Sequence, residues 1–285
     1  MKPRICGKSL YHHVFAWGND RHPIFKSELH YQYYLDFLAI IAEQFDIEVS
    51  AYALMQWHVH LFIFDRDNNI SIFMKELHGR YAQYYNNIAQ RVGHVFGERY
   101  NNRIVQSNLY AVWLSRYIHR QAVEAGLVAD PKEYYWSSYP AYIGLRQERF
   151  LKKDVILEQF TYKGCTKQNM MKQYKNFVLS QKNDPVDWGK TYQRIIGDIE
   201  FQNNIIKKIK QGRISIIDKD HTFSLLSTRL SVTKDILLHP HGTFQRSVRH
   251  QAILMMRNEY GLSITQIARI LEISRFTVMV VVKEK

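Results

Sequence analysis

The segment Trp57-His58-Val59-His60-Leu61-Phe62 sets two histidines two positions apart in an apolar stretch. On a β-strand alternate side chains share a face, so His58 and His60 project together while Val59 goes the other way. Two convergent neutral imidazoles are half of a divalent-metal site. The same pattern also describes two surface histidines on a half-exposed strand, so the surroundings must decide. A metal site needs at least a third protein ligand and open positions for substrate and water. The stretch from Asn108 to Ala125 offers one, because Tyr117 and Gln121 are four residues apart and stack on one face of a helix. A carboxamide oxygen is a hard, neutral ligand suited to Mg²⁺ or Mn²⁺ beside phosphate oxygens, and a tyrosine next to that Lewis acid is a nucleophile. Two hydrolase classes are excluded. Phe62-Ile63 stand where a metallo-β-lactamase pattern requires Asp-His, and no His-Glu-x-x-His occurs.

These residues need a scaffold, and the pattern around them supplies one. Tyr11 to Trp17 reads as a strand ending in the turn Gly18-Asn19. Ser27 to Phe45 carries apolar residues at helical spacing, with Ser27 as N-cap. Ile47–Met55 and His58–Phe64 are two strands joined tightly through Gln56-Trp57, followed by a helix from Ser71 to Val92. A short strand over 103–106 precedes the helix that Asn108 caps and Gly126 closes. The order β-α-β-β-α-β-α predicts an α+β fold, a ferredoxin-like antiparallel sheet backed by helices, with the last helix left to cross the sheet.

The chain is 285 residues long and carries a net charge of +13, so a polyanion is the natural partner. Residues 1–150 hold 16 basic and 14 acidic side chains and residues 151–285 hold 23 and 12, so most of the excess lies in the second half. The stretch 1–150 is expected to be a catalytic domain and 151–240 a basic, mainly helical region. The stretch 241–285 is expected to be a helix-turn-helix domain, with Phe244 to Tyr260 as a helix ending at Gly261 and Ala268 where two helices cross. Cys6 and Cys165 stand in no metal or redox spacing, no apolar run approaches membrane-span length, and the first twenty residues lack a signal core. The expected location is therefore the cytoplasm, with no membrane partner.

Several motifs, in order, resemble one family: YHHVFAWGNDRHPIF, WHVHLF, GHVFGERYNN, LSRYIHRQAVEAGLV and PKEYYWSSYPAYIG. Together they make residues 1–150 similar to the single-tyrosine transposases of the His-hydrophobic-His type, which include insertion-sequence and REP-associated tyrosine transposases. The resemblance implies metal-assisted cleavage and rejoining of single-stranded or hairpin DNA by a protein acting as monomer or homodimer. It places His58 and His60 on the metal-binding pair, Tyr117 on the nucleophile and Gln121 on the third ligand, with Mg²⁺ or Mn²⁺ as the ion and a 5′-phosphotyrosine product. This chain departs from the family where Gln121-Ala122 replace Asn-Pro, and where Gly97 and Asn101-Asn102 flank Arg99-Tyr100 in place of Gln and Lys-Ser.

Tyr81, Tyr84, Tyr85 and Tyr100 are rivals of Tyr117, read as core or base-stacking residues because they lack its amide partner. Arg116 and Arg120 flank Tyr117 but face elsewhere on the helix, which leaves its activation open. Arg21, Arg99 and Arg103 are candidates for holding the DNA backbone, with solvated arginine as the alternative. The C-terminal helix-turn-helix resembles that of replication-initiator proteins; Arg275 and Thr277 are its candidate DNA contacts, and Arg246, Arg249, Arg257 and Arg269 suit phosphates. Its apolar run Val278 to Val282 fits a packing or dimerisation module as well. The alternative for the whole chain is a catalytically silent DNA-binding regulator that keeps the fold.

Overall fold

The computed structural model describes residues 4–180, 183–189, 193–211, 214–217, 219–258, 262 and 264–283. Two compact units divide the chain, Cys6–Ile205 and a second made of Ile206–Lys285 with Met1–Ile5. After β1 (Arg4–Gly7), the first unit runs β2 (Leu10–Trp17), α1 (Glu28–Gln44), β3 (Ile47–Met55), β4 (His58–Asp65), α2 (Ile70–Ile88), β5 (Asn101–Val105) and α3 (Leu109–Glu124). From β2 onward this is the expected order. It continues through α4 (Tyr139–Tyr142), α5 (Asp154–Leu157), α6 (Lys167–Leu179), β6 (Ile195–Ile196) and the start of α7 (Ile199–Lys210).

The sheet order is β3-β4-β2-β5-β6, with antiparallel pairing throughout except for β6, which adds parallel to β5. The first four strands carry the ferredoxin-like arrangement, and β6 extends it by taking hydrogen bonds that β5 would otherwise leave open, Ile104 N to Arg194 O and Gln106 N to Ile196 O, both 2.8 Å.

The two faces of the sheet differ in chemistry. Val14, Ala16, Val59, Leu61 and Ile63 are fully buried on one of them. The other carries His13, Phe15 and Trp17 from β2, placed by the register Phe15 opposite His60 and Trp17 opposite His58. Ala51 and Ala53 of β3 lie on this second face, since they pair with Phe62 and His60. A bulge at Ser50 sets that register, and the two small side chains let α3 pack directly on β3.

Local chemistry explains the ends of α3. The Asn108 side chain accepts from Tyr110 N at 3.0 Å, as an N-cap should. At the other end Gly126 takes φ +69°, Gly126 N bonds Val123 O and Leu127 N bonds Ala122 O, both at 2.9 Å, which is the Schellman arrangement. Two expectations shift. The Ser27 hydroxyl does not cap the α1 backbone but pairs with His30 Nδ1 at 2.8 Å. Helix α2 stops at Ile88 rather than Val92, because Gln90 adopts φ +47° and Val92 is left exposed to solvent. The start of α2 is capped from a distance by buried Asp65, whose two oxygens accept from Asn69 N and Ile70 N at 2.8 Å.

The second unit holds β7 (Ile214–Ile217), paired with β1, and α8 (Lys219–Leu230), α9 (Lys234–Leu238), α10 (Gly242–Asn258), α11 (Ile264–Ile270) and α12 (Arg275–Lys283). Leu226, Leu237, Ile253, Met256, Ile267, Leu271 and Val278 form its core. Helices α11 and α12 frame the expected turn, where Glu272 takes φ +56° and the Ser274 hydroxyl accepts from Thr277 N at 3.0 Å. Tyr260 and Gly261, expected at the end of α10, lie outside the described residues. No helix among the described residues is long and apolar enough to cross a membrane.

Candidate active site

Helix α3 brings one face against the histidine-bearing face of the sheet. Gln121 Oε1 lies 3.4 Å from His58 Nε2, while Gln121 Nε2 donates to Tyr117 O at 3.3 Å. The amide is thereby oriented with its oxygen toward the imidazoles. The Tyr117 ring stands edge-on to His60 at 5.5 Å between centroids, and the His58 and His60 rings are 5.0 Å apart. The four residues that the sequence singled out for chemistry therefore meet in one place, within the first unit.

The donor set fits a divalent cation. Burial holds the His58 and His60 imidazoles below the usual histidine range, with Gln121 opposing the shift at both, so the neutral, metal-binding form is the resting one. The 3.4 Å separation is what two donors of one ion show, since ligands about 2.1 Å from a metal lie roughly 3.0–3.4 Å from one another. Among the described residues no group of three or more His, Cys, Asp or Glu is placed to hold a metal. The oxygen donor placed beside His58 is the neutral amide of Gln121.

Tyr117 is half-buried, and burial pushes its hydroxyl above the ordinary tyrosine range. The Arg103 guanidinium and Gln121 pull it back down, whereas Asp187 pushes it up. Arg103 is a β5 residue only 9% exposed, stacked over Phe15 and donating to Trp188 O at 2.6 Å. It is thus a cation facing Tyr117 rather than a solvated surface arginine. Arg116 and Arg120 border the same cleft as Tyr117, but their guanidinium groups are engaged by other partners. Arg116 pairs with Asp184 and donates to Phe177 O and Ser180 O, and Arg120 pairs with Glu124.

The remaining expected DNA contacts are Arg21, Arg99, Arg275 and Thr277. Arg99 is exposed; Arg21 ends a short turn, Asn19–Arg21, and its side chain is outside the described residues. Arg275 is exposed at the start of α12, and the Thr277 hydroxyl is engaged by Ser274 at 2.8 Å. The rival tyrosines serve the fold. Tyr81 and Tyr85 donate to Ile24 O and Pro23 O, Tyr84 stacks on Tyr33 at 4.1 Å, and Tyr100 is buried near Ser71.

Three side chains at the site escaped the sequence reading. His13 Nε2 lies 3.0 Å from His60 Nδ1, and Trp188 covers both His13 and Tyr117 at 6.1 and 6.2 Å between ring centroids. Asp187, beside Trp188, lines with Tyr117 and Gln121 a cleft of about 660 Å³. A signal for His13 was present, because the alternation His13, Phe15, Trp17 runs along a strand that must share a face with its partner's histidines. For residues 187 and 188, far along the chain in a polar stretch, no local pattern points to the site.

Residues 6–121 match the model of the family described as "Transposase IS200 like". No curated protein matches the chain. Among solved structures, a REP-associated tyrosine transposase bound to a REP hairpin aligns over 51% of this chain and 92% of its own, with 11% identity and a TM-score of 0.42. A Deinococcus radiodurans R1 protein described as a transposase aligns over 40% and 91%, with 24% identity and a TM-score of 0.31. The matched segment, residues 6–121, holds both histidines, Tyr117 and Gln121, and is similar to the IS200-like transposases.

Proposed function

We propose that the protein is a metal-dependent single-stranded DNA endonuclease and strand transferase acting at hairpin or palindromic DNA. One observation carries the reading: α3 lays the Tyr117 ring edge-on to His60 and the Gln121 oxygen beside His58. His58, His60 and Gln121 would hold Mg²⁺ or Mn²⁺, and the ion would supply Lewis-acid polarisation of the scissile phosphate and charge neutralisation there. Tyr117 loses its proton and attacks phosphorus through Oη. The bond from phosphorus to the 3′ oxygen breaks, that oxygen takes a proton, and the products are a 5′-phosphotyrosine and a free 3′-hydroxyl. Attack by a 3′-hydroxyl on the phosphotyrosine reverses these bond changes and rejoins DNA, so no nucleotide is consumed. Arg103 stabilises the phenolate that this step requires.

A hairpin substrate is what the motif resemblance of residues 1–150 implies, and the +13 charge favours any nucleic acid. The C-terminal unit, with Arg275 at the head of α12, is proposed to retain that DNA, Arg21 and Arg99 adding backbone contacts. The test is to mix the protein with Mn²⁺ and a single-stranded hairpin and look for covalent adduct on a denaturing gel. The wild type is expected to form one and Tyr117→Phe none. An adduct with Tyr117→Phe displaces the assigned nucleophile; binding without cleavage by the wild type across REP-type hairpins favours the silent regulator.

A further inference from the structure

His13 belongs to no feature of the proposed chemistry, yet it is the nearest polar neighbour of one of its metal ligands. The β2–β4 register sets His13 opposite Phe62 and Phe15 opposite His60, which makes His13 and His60 diagonal neighbours on one face. Their rings lie 5.2 Å apart at 24°, and His13 Nε2 is 3.0 Å from His60 Nδ1. They are 1% and 4% exposed, so solvent does not compete for that hydrogen bond. Because His13 engages His60 Nδ1, the His60 nitrogen left free for a cation is Nε2.

Stability does not account for an imidazole at this position. His13 Nδ1 is buried without a hydrogen-bond partner among the described residues, and an unpaired buried polar atom costs about 1–3 kcal/mol. An apolar side chain held between Phe15, Trp188 and Tyr117 avoids that cost. What only a hydrogen-bonding group supplies is control of the His60 tautomer. A neutral imidazole that binds metal through Nε2 carries its proton on Nδ1, and that proton needs an acceptor.

We propose that His13 is a positioning residue for His60: its Nε2 accepts the His60 Nδ1–H, which holds the His60 ring plane and leaves the Nε2 lone pair turned toward His58 and Gln121. The role rests on the reading that these three residues hold a divalent cation. His13→Gln keeps an acceptor where Nε2 stood, and His13→Leu keeps bulk without one.

The experiment measures Mn²⁺ affinity of the full chain without DNA, by the electron paramagnetic resonance of free Mn²⁺, with thermal melting of each variant alongside. Long-range ¹⁵N spectra of the metal-free protein report the His60 tautomer. His13→Leu is expected to fold, to weaken Mn²⁺ binding by about 10- to 100-fold, and to lose the Nδ1–H form of His60. His13→Gln is expected to keep both near wild type. If Leu binds Mn²⁺ as tightly as the wild type, or if Gln and Leu weaken it equally, His13 has no positioning role. A wild type that binds no Mn²⁺ overturns the cation reading itself, and the role of His13 with it.

Discussion

The two faces of α3 are held in opposite ways. On the back, His119 uses both ring nitrogens, to Tyr174 Oη at 2.6 Å and Ser138 Oγ at 2.7 Å, and Tyr174 passes the chain on to Ser115 at 2.9 Å. Arg116, on the flank of the helix between the two faces, is anchored to α6 and to Asp184. On the front, Gln121 makes two long contacts, at 3.3 and 3.4 Å, and His58 Nδ1 has no hydrogen-bond partner among the described residues. The back is saturated and the front is not. A site that must accept a cation and a phosphate needs unspent valence, and a helix can present it accurately only if another face fixes the helix.

The largest effects should come from emptying the front. His58→Ala with His60→Ala removes two of three proposed ligands, and covalent adduct with Mn²⁺ and a hairpin should fall at least about 10³-fold, to below detection on a gel. Adduct at wild-type yield would separate the histidines from the chemistry. Next comes the flank. Arg116→Ala leaves Asp184 without its cation in a largely buried setting, which should cost about 2–3 kcal/mol, or roughly 5–10 °C in Tm. Melting curves indistinguishable from wild type would mean that the flank does not anchor the helix.

The contrast also explains what could be read from sequence. The front was legible because His58 with His60 and Tyr117 with Gln121 are spaced by the periods of a strand and a helix, so short-range geometry alone pairs them. The strand-helix order and the caps Asn108 and Gly126 were legible for the same reason. The back and flank were not, because their partners Tyr174 and Asp184 are long-range contacts from a Lys- and Asn-rich stretch whose pattern says only that it is helical and basic. Arg103 was recognised as a candidate cation, but only the pairing of β5 beside β2 turns it toward Tyr117. His13 shows the intermediate case. Its face followed from alternation, but its contact with His60 needed the β2–β4 register.

Acid should destabilise the fold through buried histidines, His119 on the saturated face among them. Burial lowers His119 and His12 to about 3. As pH falls below about 6.5, the unfolded chain binds protons that the native protein refuses, so stability is full above that value and lost on the way down. Each such histidine contributes a slope of about 1.4 kcal/mol per pH unit. His119→Gln should lower Tm at pH 7.5, since a single amide rotamer does not reproduce both bonds, yet flatten the decline between pH 6.5 and 5.0 by one histidine's share. Parallel Tm-versus-pH curves would mean that His119 does titrate in the native state.

The smallest expected effect on stability is the most informative about the comparison. Gln121 is only partly buried, and its amide holds a 3.3 Å bond to a carbonyl already used by the helix and a 3.4 Å contact to His58. Neither geometry is that of a strong hydrogen bond, so Gln121→Ala should change unfolding free energy by less than about 0.5 kcal/mol. Removing a ligand oxygen should nonetheless weaken Mn²⁺ binding by about tenfold or more, and Gln121→Asn, with the family's shorter amide, should recover part of it. A large loss of stability with unchanged Mn²⁺ affinity would invert the assignment, making the front of α3 a packing surface like its back.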